Sequence, residues 1–251
     1  MNIEQLNKIY DKLIINDDVV FDYNMFQSVI FNDSNTITNG EKMFYENMIK
    51  NTTKCIFDVG SSNSSGYLDF QGTVHYFEPI KHLLDELKLL PNSNSYSFFN
   101  NFGLSYNNEK LYYYPRFDSF LNRIKSLNID DSENKSIAEV KPAREYIINN
   151  CVYEIDFLKI DTEGFEFNVI RGFEEFIQLV KVLQFEYGGC YIDSGVKLID
   201  VIEHLRGFGF DKFCYITRFG LLPMTDFTDN YQYCNIACIR SPEIDIDTEY
   251  R

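Results

Sequence analysis

Five places in the chain carry residues able to do chemistry, and each of them follows a short apolar run. Asp58 and Gly60 are followed by Ser61, Ser62, Asn63, Ser64, Ser65 and a second glycine, Gly66. Glu78 precedes Pro79, Asn100 and Asn101 stand side by side, Asp161 and Glu163 flank Thr162, and Glu186 precedes Tyr187. Gly60 permits a sharp turn and lets the main chain approach a ligand, because no Cβ intervenes. Glu78 lies twenty residues after Asp58. At that separation a strand-end carboxylate accepts hydrogen bonds from both hydroxyls of a ribose. A Gly/Ser turn with a solvated acid is the plainer reading, and the correctly spaced Glu78 brings the nucleoside reading level with it.

The ligand is narrowed by what the loop lacks. No basic side chain stands between Asp58 and Gly66, and the G-x-G-x-x-G spacing that brings a pyrophosphate to a helix N-terminus is missing. Three strand-end acids (Asp58, Glu78 and Asp161) favour a cation over an anion. S-adenosyl-L-methionine, a nucleoside with a sulfonium and no phosphate, meets both conditions.

These residues need elements to position them. Apolar runs at 54–59, 73–77, 96–99, 156–160, 180–185, 213–216 and 231–239 read as strands. Helical spacing predicts a helix carrying Leu83, Leu84, Leu87 and Leu90 up to Pro91. Others are expected over 165–179 and over 196–208, the latter with Leu198, Ile199, Ile202 and Leu205 on one side. Strands alternating with helices imply an α/β fold with a mostly parallel sheet covered on both faces. The turn-rich stretch 220–230 predicts one antiparallel strand near the C-terminus. Residues 104–114 read as a hairpin turning at Asn107 and Asn108, 116–139 as a polar surface insertion, and the acidic tail beyond Ser241 as loose. The first fifty residues have a different texture, with helical spacing at Leu6, Ile9, Tyr10 and Leu13 and again at Met43, Phe44, Met48 and Ile49. They are expected to form an N-terminal helical and irregular cap over 1–50, with the main domain over 51–251.

Composition bounds the partners. The 251 residues hold 23 Lys and Arg against 38 Asp and Glu, a formal charge of −15. That excess disfavours a phosphate-backbone ligand, so no nucleic acid is expected as a partner, nor an anionic membrane surface. The polar, acidic N-terminus lacks the features of a secretory signal, and no run approaches the roughly 20 apolar residues of a spanning helix. Cys55, Cys151, Cys190, Cys214, Cys234 and Cys238 sit in apolar segments without paired spacing, which reads as buried free thiols in a cytoplasmic, reducing setting. None of the three histidines is near a cysteine, so no metal site is expected.

The segments IFDVG (56–60), YFEP (76–79), LKIDTEG (158–164) with Glu166, Val169 and Gly172, and QFEYG (184–188) resemble, in order, those of the FkbM family of methyltransferases. LKIDTEG is the most specific of these segments and the glycine loop the least. The resemblance implies a Rossmann-like class I methyltransferase fold, S-adenosyl-L-methionine as donor, and O-methylation of a hydroxyl on a sugar, glycan or similar small polar acceptor. It places Asp58, Gly60, Ser61, Asn63, Glu78, Asn101 and Asp161 around the cofactor. Asp161 and Glu163, with Glu186 in reserve, become candidates for the general base that a sugar hydroxyl needs within hydrogen-bond reach. A capped helix start with acids in its first turn is the plainer explanation of the same residues. The chain departs from the family in the serines between Gly60 and Gly66, and residues 61–72 leave room for only a very short crossover helix. A methyltransferase fold kept only as a binding or assembly module is the competing expectation. An NAD-dependent sugar enzyme using Glu78 on the ribose is weaker, since the glycine pattern is absent.

Overall fold

Strands that are apolar throughout belong at the centre of a parallel sheet, where both faces are covered. The computed structural model describes residues 8–9, 11–14, 31, 33–115, 120 and 134–240. Its strands are β1 (Cys55–Val59), β2 (Thr73–Phe77), β3 (Tyr96–Asn100), β4 (Gly103–Ser105), β5 (Glu109–Tyr113), β6 (Ser136–Pro142), β7 (Ile155–Ile160), β8 (Val180–Tyr187), β9 (Phe210–Thr217), β10 (Gly220–Pro223) and β11 (Cys234–Arg240). Its helices are α1 (Glu41–Phe44), which continues as one wider turn over Tyr45–Ile49, α2 (Lys81–Leu89), α3 (Ala143–Asn149), α4 (Glu166–Gly172), α5 (Cys190–Ser194) and α6 (Leu198–Gly207).

Eight strands form one sheet in the order β10-β9-β11-β8-β7-β1-β2-β3. The pairs from β3 through β8 are parallel, and β11 runs antiparallel between β8 and β9. This is the Rossmann-like class I methyltransferase arrangement. Chain order runs one way from β1 through β2 to β3 and the other way from β7 to β8. The switch point therefore lies between β1 and β7, where ligands bind in open α/β sheets.

The pleat sends alternate residues to two cores. Phe57, Leu158, Leu183 and Ile236 face α6 and its neighbours, among them Val201, Ile202 and Leu205. Ile56, Phe157, Val182 and Ala237 face Phe44, Met48, Leu84 and Leu87. Phe44, Met48 and Ile49 are wholly buried, so the chain from Glu41 onward helps cover the sheet.

Several expectations change here. Residues 61–72 form turns and no helix, because serine and asparagine side chains compete for the backbone. Tyr67 and Phe70 fill that face instead. The expected 104–114 hairpin does not pair with itself. β6, expected to be part of an irregular insertion, lies between β4 and β5, parallel to the first and antiparallel to the second. The rest of that insertion, Phe120 and 134–135 apart, lies outside the described residues, as does the tail beyond 240. The helix expected over 165–179 is interrupted: α4 ends at Gly172, Glu174 adopts φ +48°, and a 3-10 helix continues over Glu174–Leu179. Residues 220–223 form β10, a second reversed strand, on β9. In α6, Val201 is buried while Ile199 is 36% exposed, since positions three, four and seven after Leu198 share its face. No helix among the described residues is long and apolar enough to cross a membrane.

Candidate functional site

The loops after β1 and β7 meet backbone to backbone. Gly60 turns with φ +79°, and its N–H and that of Ser61 donate to the Phe77 carbonyl at 2.9 and 3.3 Å. The Asp161 N–H donates to the Val59 carbonyl at 3.0 Å. A Cβ on Gly60 would sit 1.8 Å from the Asp161 carbonyl oxygen, so only glycine lets the two strand ends close at the switch point.

Glu78 leaves β2 directly opposite this turn and is 5% exposed. One carboxylate oxygen accepts the Ile80 N–H at 2.8 Å and the other the Ser62 N–H at 2.9 Å. Each oxygen keeps a further acceptor site. Burial raises the Glu78 pKa to about 7 despite those two N–H donors. Glu78 lines a cleft of about 400 Å³ whose other walls include Gly60, Ile80, Leu83, Leu104, Asp161 and Phe165. The described lining contains acids and apolar surface but no Lys or Arg.

A buried cation sits among the acids beside it. Lys159, in β7, lies 3.2 Å from Asp161 and 3.7 Å from Asp58. Burial alone would discharge its ammonium, but Asp161, Asp58 and Glu41 outweigh that and hold its pKa above the ordinary lysine value. Asp58 is itself buried, which raises its pKa, while Lys159 and the Ser65 hydroxyl, donating at 2.6 Å, oppose the rise.

The turn after β7 is built by Glu166. One of its oxygens accepts the Thr162 N–H at 2.9 Å, the Thr162 hydroxyl at 3.0 Å and the Gly164 N–H at 3.2 Å. Glu163 is thereby held at φ +54° and Gly164 at φ +98°. A left-handed non-glycine residue is costly and gathers at functional sites. Exposed Glu163 lines the same cleft as Glu78 and Asp161. Burial lifts the Glu166 pKa to about 7.

The structure brings Asp58, Gly60, Ser61, Glu78 and Asp161 together around two clefts that share Gly60, Ser62 and Asp161. The second cleft, about 610 Å³, is walled by Asp58, Ser61, Ser65, Lys159, Asp161 and Tyr233 among others. Two expected residues lie elsewhere. Asn63 turns outward to donate to Glu86 at 2.8 Å. Asn101 donates to the Glu78 and Pro79 carbonyls at 3.1 Å each, bracing the turn rather than lining a cleft. Glu186 is half-buried at the end of β8, its pKa pushed well up by burial and then by Asp161 and Glu166. Tyr187 lies inside the core, while Tyr112 reaches the cleft at 63% exposure. His75 is structural, buried against the Tyr146 hydroxyl at 2.7 Å. Of the thiols expected to be buried, Cys214, Cys234 and Cys238 are, Cys55 and Cys190 are half-buried, and Cys151 is exposed.

Two residues of the site escaped the sequence reading of roles. Lys159 carried a signal, since a lysine inside an otherwise apolar buried strand requires an acidic partner. Tyr233 carried none. It reaches the site only because β11 pairs with β8 in the register Asn235 to Glu186.

The donor set is chemically suited to a nucleoside bearing a cation. Glu78 offers two open acceptor positions, apolar Ile80, Leu83, Leu104 and Phe165 offer a surface for a base, and among the described lining residues no Lys or Arg invites a phosphate. Residues 58–212, more than half of the chain, match the family model described as the methyltransferase FkbM domain. Among solved structures, a TehB-like SAM-dependent methyltransferase from Corynebacterium glutamicum matches with 13% identity and TM-score 0.42, covering 96% of this chain and 100% of that one. The METTL16 MTase domain matches at 11% identity and TM-score 0.38, covering 79% of this chain and 64% of that one. A Methanococcus jannaschii fibrillarin pre-rRNA processing protein matches at 11% identity and TM-score 0.38, covering 75% and 66%. The chain thus spans slightly under two thirds of the latter two. No curated protein matches the sequence.

Proposed function

The chain belongs to the FkbM methyltransferase family, and from that premise we propose that it is an O-methyltransferase acting on a hydroxyl of a sugar, glycan or similar small polar acceptor. S-adenosyl-L-methionine is the donor, supplying a methyl group on a sulfonium centre. Glu78 carries the reading: a buried carboxylate, pinned by two main-chain N–H groups, with its open acceptor positions facing a cleft. Glu78 takes the ribose hydroxyls, Gly60 gives the main chain room to approach, and Ile80, Leu83, Leu104 and Phe165 receive the base. Asp58, Ser61 and Asp161 surround the methionine portion. Asn63 and Asn101 support this arrangement from outside the cleft.

An activated donor leaves the protein two tasks, alignment of the acceptor and removal of its proton. Asp161 is the candidate base, its carboxylate anchored by the Lys159 ammonium at 3.2 Å. Glu163 stands on the same turn and shares the assignment. With the donor bound, the carboxylate would take the proton of the acceptor hydroxyl as the methyl group is transferred to that oxygen and S-adenosylhomocysteine leaves. The N-terminal 1–50 segment walls the second cleft through Ser34, Ile37 and Glu41 and belongs, with the 51–251 domain, to acceptor choice. The acidic balance of the chain supports a non-nucleic-acid acceptor, and cysteines without paired spacing support a cytoplasmic, reducing setting.

Calorimetric titration with S-adenosylhomocysteine tests the donor site. Binding is expected, and its absence would favour the binding-module alternative suggested by the serine-filled loop. Mass spectrometry of candidate glycans after incubation with isotopically labelled donor then tests the acceptor, with a labelled methyl ether the expected product.

A further inference from the structure

The large sheet ends differently on its two sides. On one side β10 is short, closes on Pro223, and is bridged by Ile14 opposite Leu221. Proline and a covering segment both blunt a strand edge against unwanted pairing. On the other side β3 pairs with β2 alone among the described residues. Its sequence, YSFFN, holds no proline and no charge. The Tyr96 N–H donates to the Gly72 carbonyl at 3.4 Å, and the Asn100 carbonyl accepts the Glu78 N–H at 3.1 Å. In the register that sets Tyr96 beside Thr73, this commits the main chain of Tyr96, Phe98 and Asn100 to β2. The N–H and C=O groups of Ser97 and Phe99 therefore turn outward. Tyr96 is 67% exposed and Phe98 44%. They share one face of β3, where Phe98 lies flat on His75 with ring centroids 4.5 Å apart and planes 8° from parallel.

Charge and symmetry select what can cover this edge. A chain of charge −15 repels its own copies wherever charged surfaces meet. Leu89 to Asn108 are twenty consecutive residues without Asp, Glu, Lys, Arg or His, the longest such run in the chain, and β3 lies within it. The edge also matches itself. An antiparallel strand centred on Phe98 sets Ser97 opposite Phe99 of a second copy, and Phe99 opposite Ser97. Those are the residues with outward main-chain groups, so each pair can exchange two N–H···O bonds. Phe98 meets its own copy on the two-fold axis, in the closer, non-hydrogen-bonded position where aromatic pairs strengthen a sheet. Tyr96 falls opposite Asn100, and no like charges face each other.

We propose that the chain forms a two-fold symmetric dimer by antiparallel pairing of two β3 edges, joining the large sheets of two copies across Phe98. The same patch serves both partners, as a closed two-fold contact requires, and main-chain hydrogen bonds supply the affinity. The paired strand lies outside the lining of the clefts, and the dimer does not depend on the methyl-transfer reading.

The experiment is sedimentation velocity of the full chain over a series of concentrations, with hydrogen exchange read at Ser97 and Phe99. A concentration-dependent dimer is expected, in which those amides exchange about tenfold or more slowly than in the monomer. Phe98→Lys sets two ammonium groups against each other on the axis. Ser97→Pro removes an outward N–H at an edge position that tolerates proline. Each variant is expected to keep the circular dichroism of the wild type and to sediment as a monomer where the wild type is dimeric. Phe219→Lys, at an exposed residue beside β10, is expected to leave the dimer intact. Oxidation tests the register. In a Cys151→Ser background, because Cys151 is exposed, Phe98→Cys is expected to cross-link two chains, since such partners bring Cα atoms to about 4.5 Å, within disulfide reach. Ser97→Cys, which faces Phe99 of the second copy rather than itself, is expected to cross-link far more slowly. The proposal is overturned if the wild type sediments as a monomer at every concentration, or if Phe98→Lys and Ser97→Pro fold and remain dimeric. It is also overturned if Phe98→Cys fails to cross-link a chain that sediments as a dimer. Should the first two variants fail to fold, the cross-link decides the question alone.

Discussion

Replacing Glu78 by glutamine keeps the shape of the side chain and removes one acceptor. In the structure each carboxylate oxygen accepts one main-chain N–H, from Ile80 at 2.8 Å and from Ser62 at 2.9 Å, and has room for one more donor. The amide NH₂ of glutamine must face one of those N–H groups. That leaves a buried donor unpaired in both the free and the bound protein, so it lowers stability by about 1–3 kcal/mol without entering the binding equilibrium. Binding loses a different quantity, one ribose hydroxyl bond to a charged acceptor, about 1.5–3 kcal/mol. At about 1.4 kcal/mol per decade, S-adenosylhomocysteine affinity should fall roughly 10- to 150-fold. The two costs separate by assay, denaturant titration for the first and calorimetry for the second. There is also a pH signature. Burial places the Glu78 pKa at about 7, and the ionised form is the better acceptor of hydroxyl protons. Wild-type affinity should therefore rise with pH up to about 7, by at most about tenfold per unit, and the glutamine variant should be flat. An affinity within threefold of wild type, with the pH dependence retained, would refute the placement of the ribose on Glu78.

Gly60→Ala forces a Cβ to within 1.8 Å of the Asp161 carbonyl oxygen at a φ of +79°, and a loss of about 3–5 kcal/mol is expected by chemical denaturation. Asp161→Asn and Glu163→Gln should each lower methyl transfer about 10²-fold or more if they remove the base, with circular dichroism unchanged; near-full activity in both would exclude these carboxylates. Glu166, wholly buried with its pKa raised from 4.5 to about 7, binds a proton more tightly in the folded state than in the unfolded one. Its contribution to stability is complete below about pH 4.5 and is lost as pH rises through 7, a ceiling of about 3 kcal/mol. Glu166→Gln should flatten that part of the stability profile measured by urea denaturation at a series of pH values.

The primary structure determined the fold class and most of one wall of the site. Apolar runs at 54–59, 73–77 and 156–160 could only be strands buried on both faces, and the acids that follow such strands fall at one edge of the sheet whatever the loops do. Gly60 and Glu78 were legible for the same reason, since a turn without a Cβ and a carboxylate at the next strand end are local facts with a fixed spacing. Lys159 was visible as an anomaly, a charge inside an apolar strand, although its partners were not. Tertiary structure alone decided the rest. Whether Asn63 faces ligand or Glu86, whether Asn101 lines a cleft or braces a turn, and how β6 enters between β4 and β5 all depend on contacts between segments far apart in the chain. Tyr233 and Tyr191 reach the cleft at the end of β8 through the antiparallel pairing of β11 with β8 and the turn that follows β8. Local sequence patterns record which face a residue takes, because burial is periodic along an element. They do not record which distant hydroxyl will find a partner, because that is settled only when the sheet has closed.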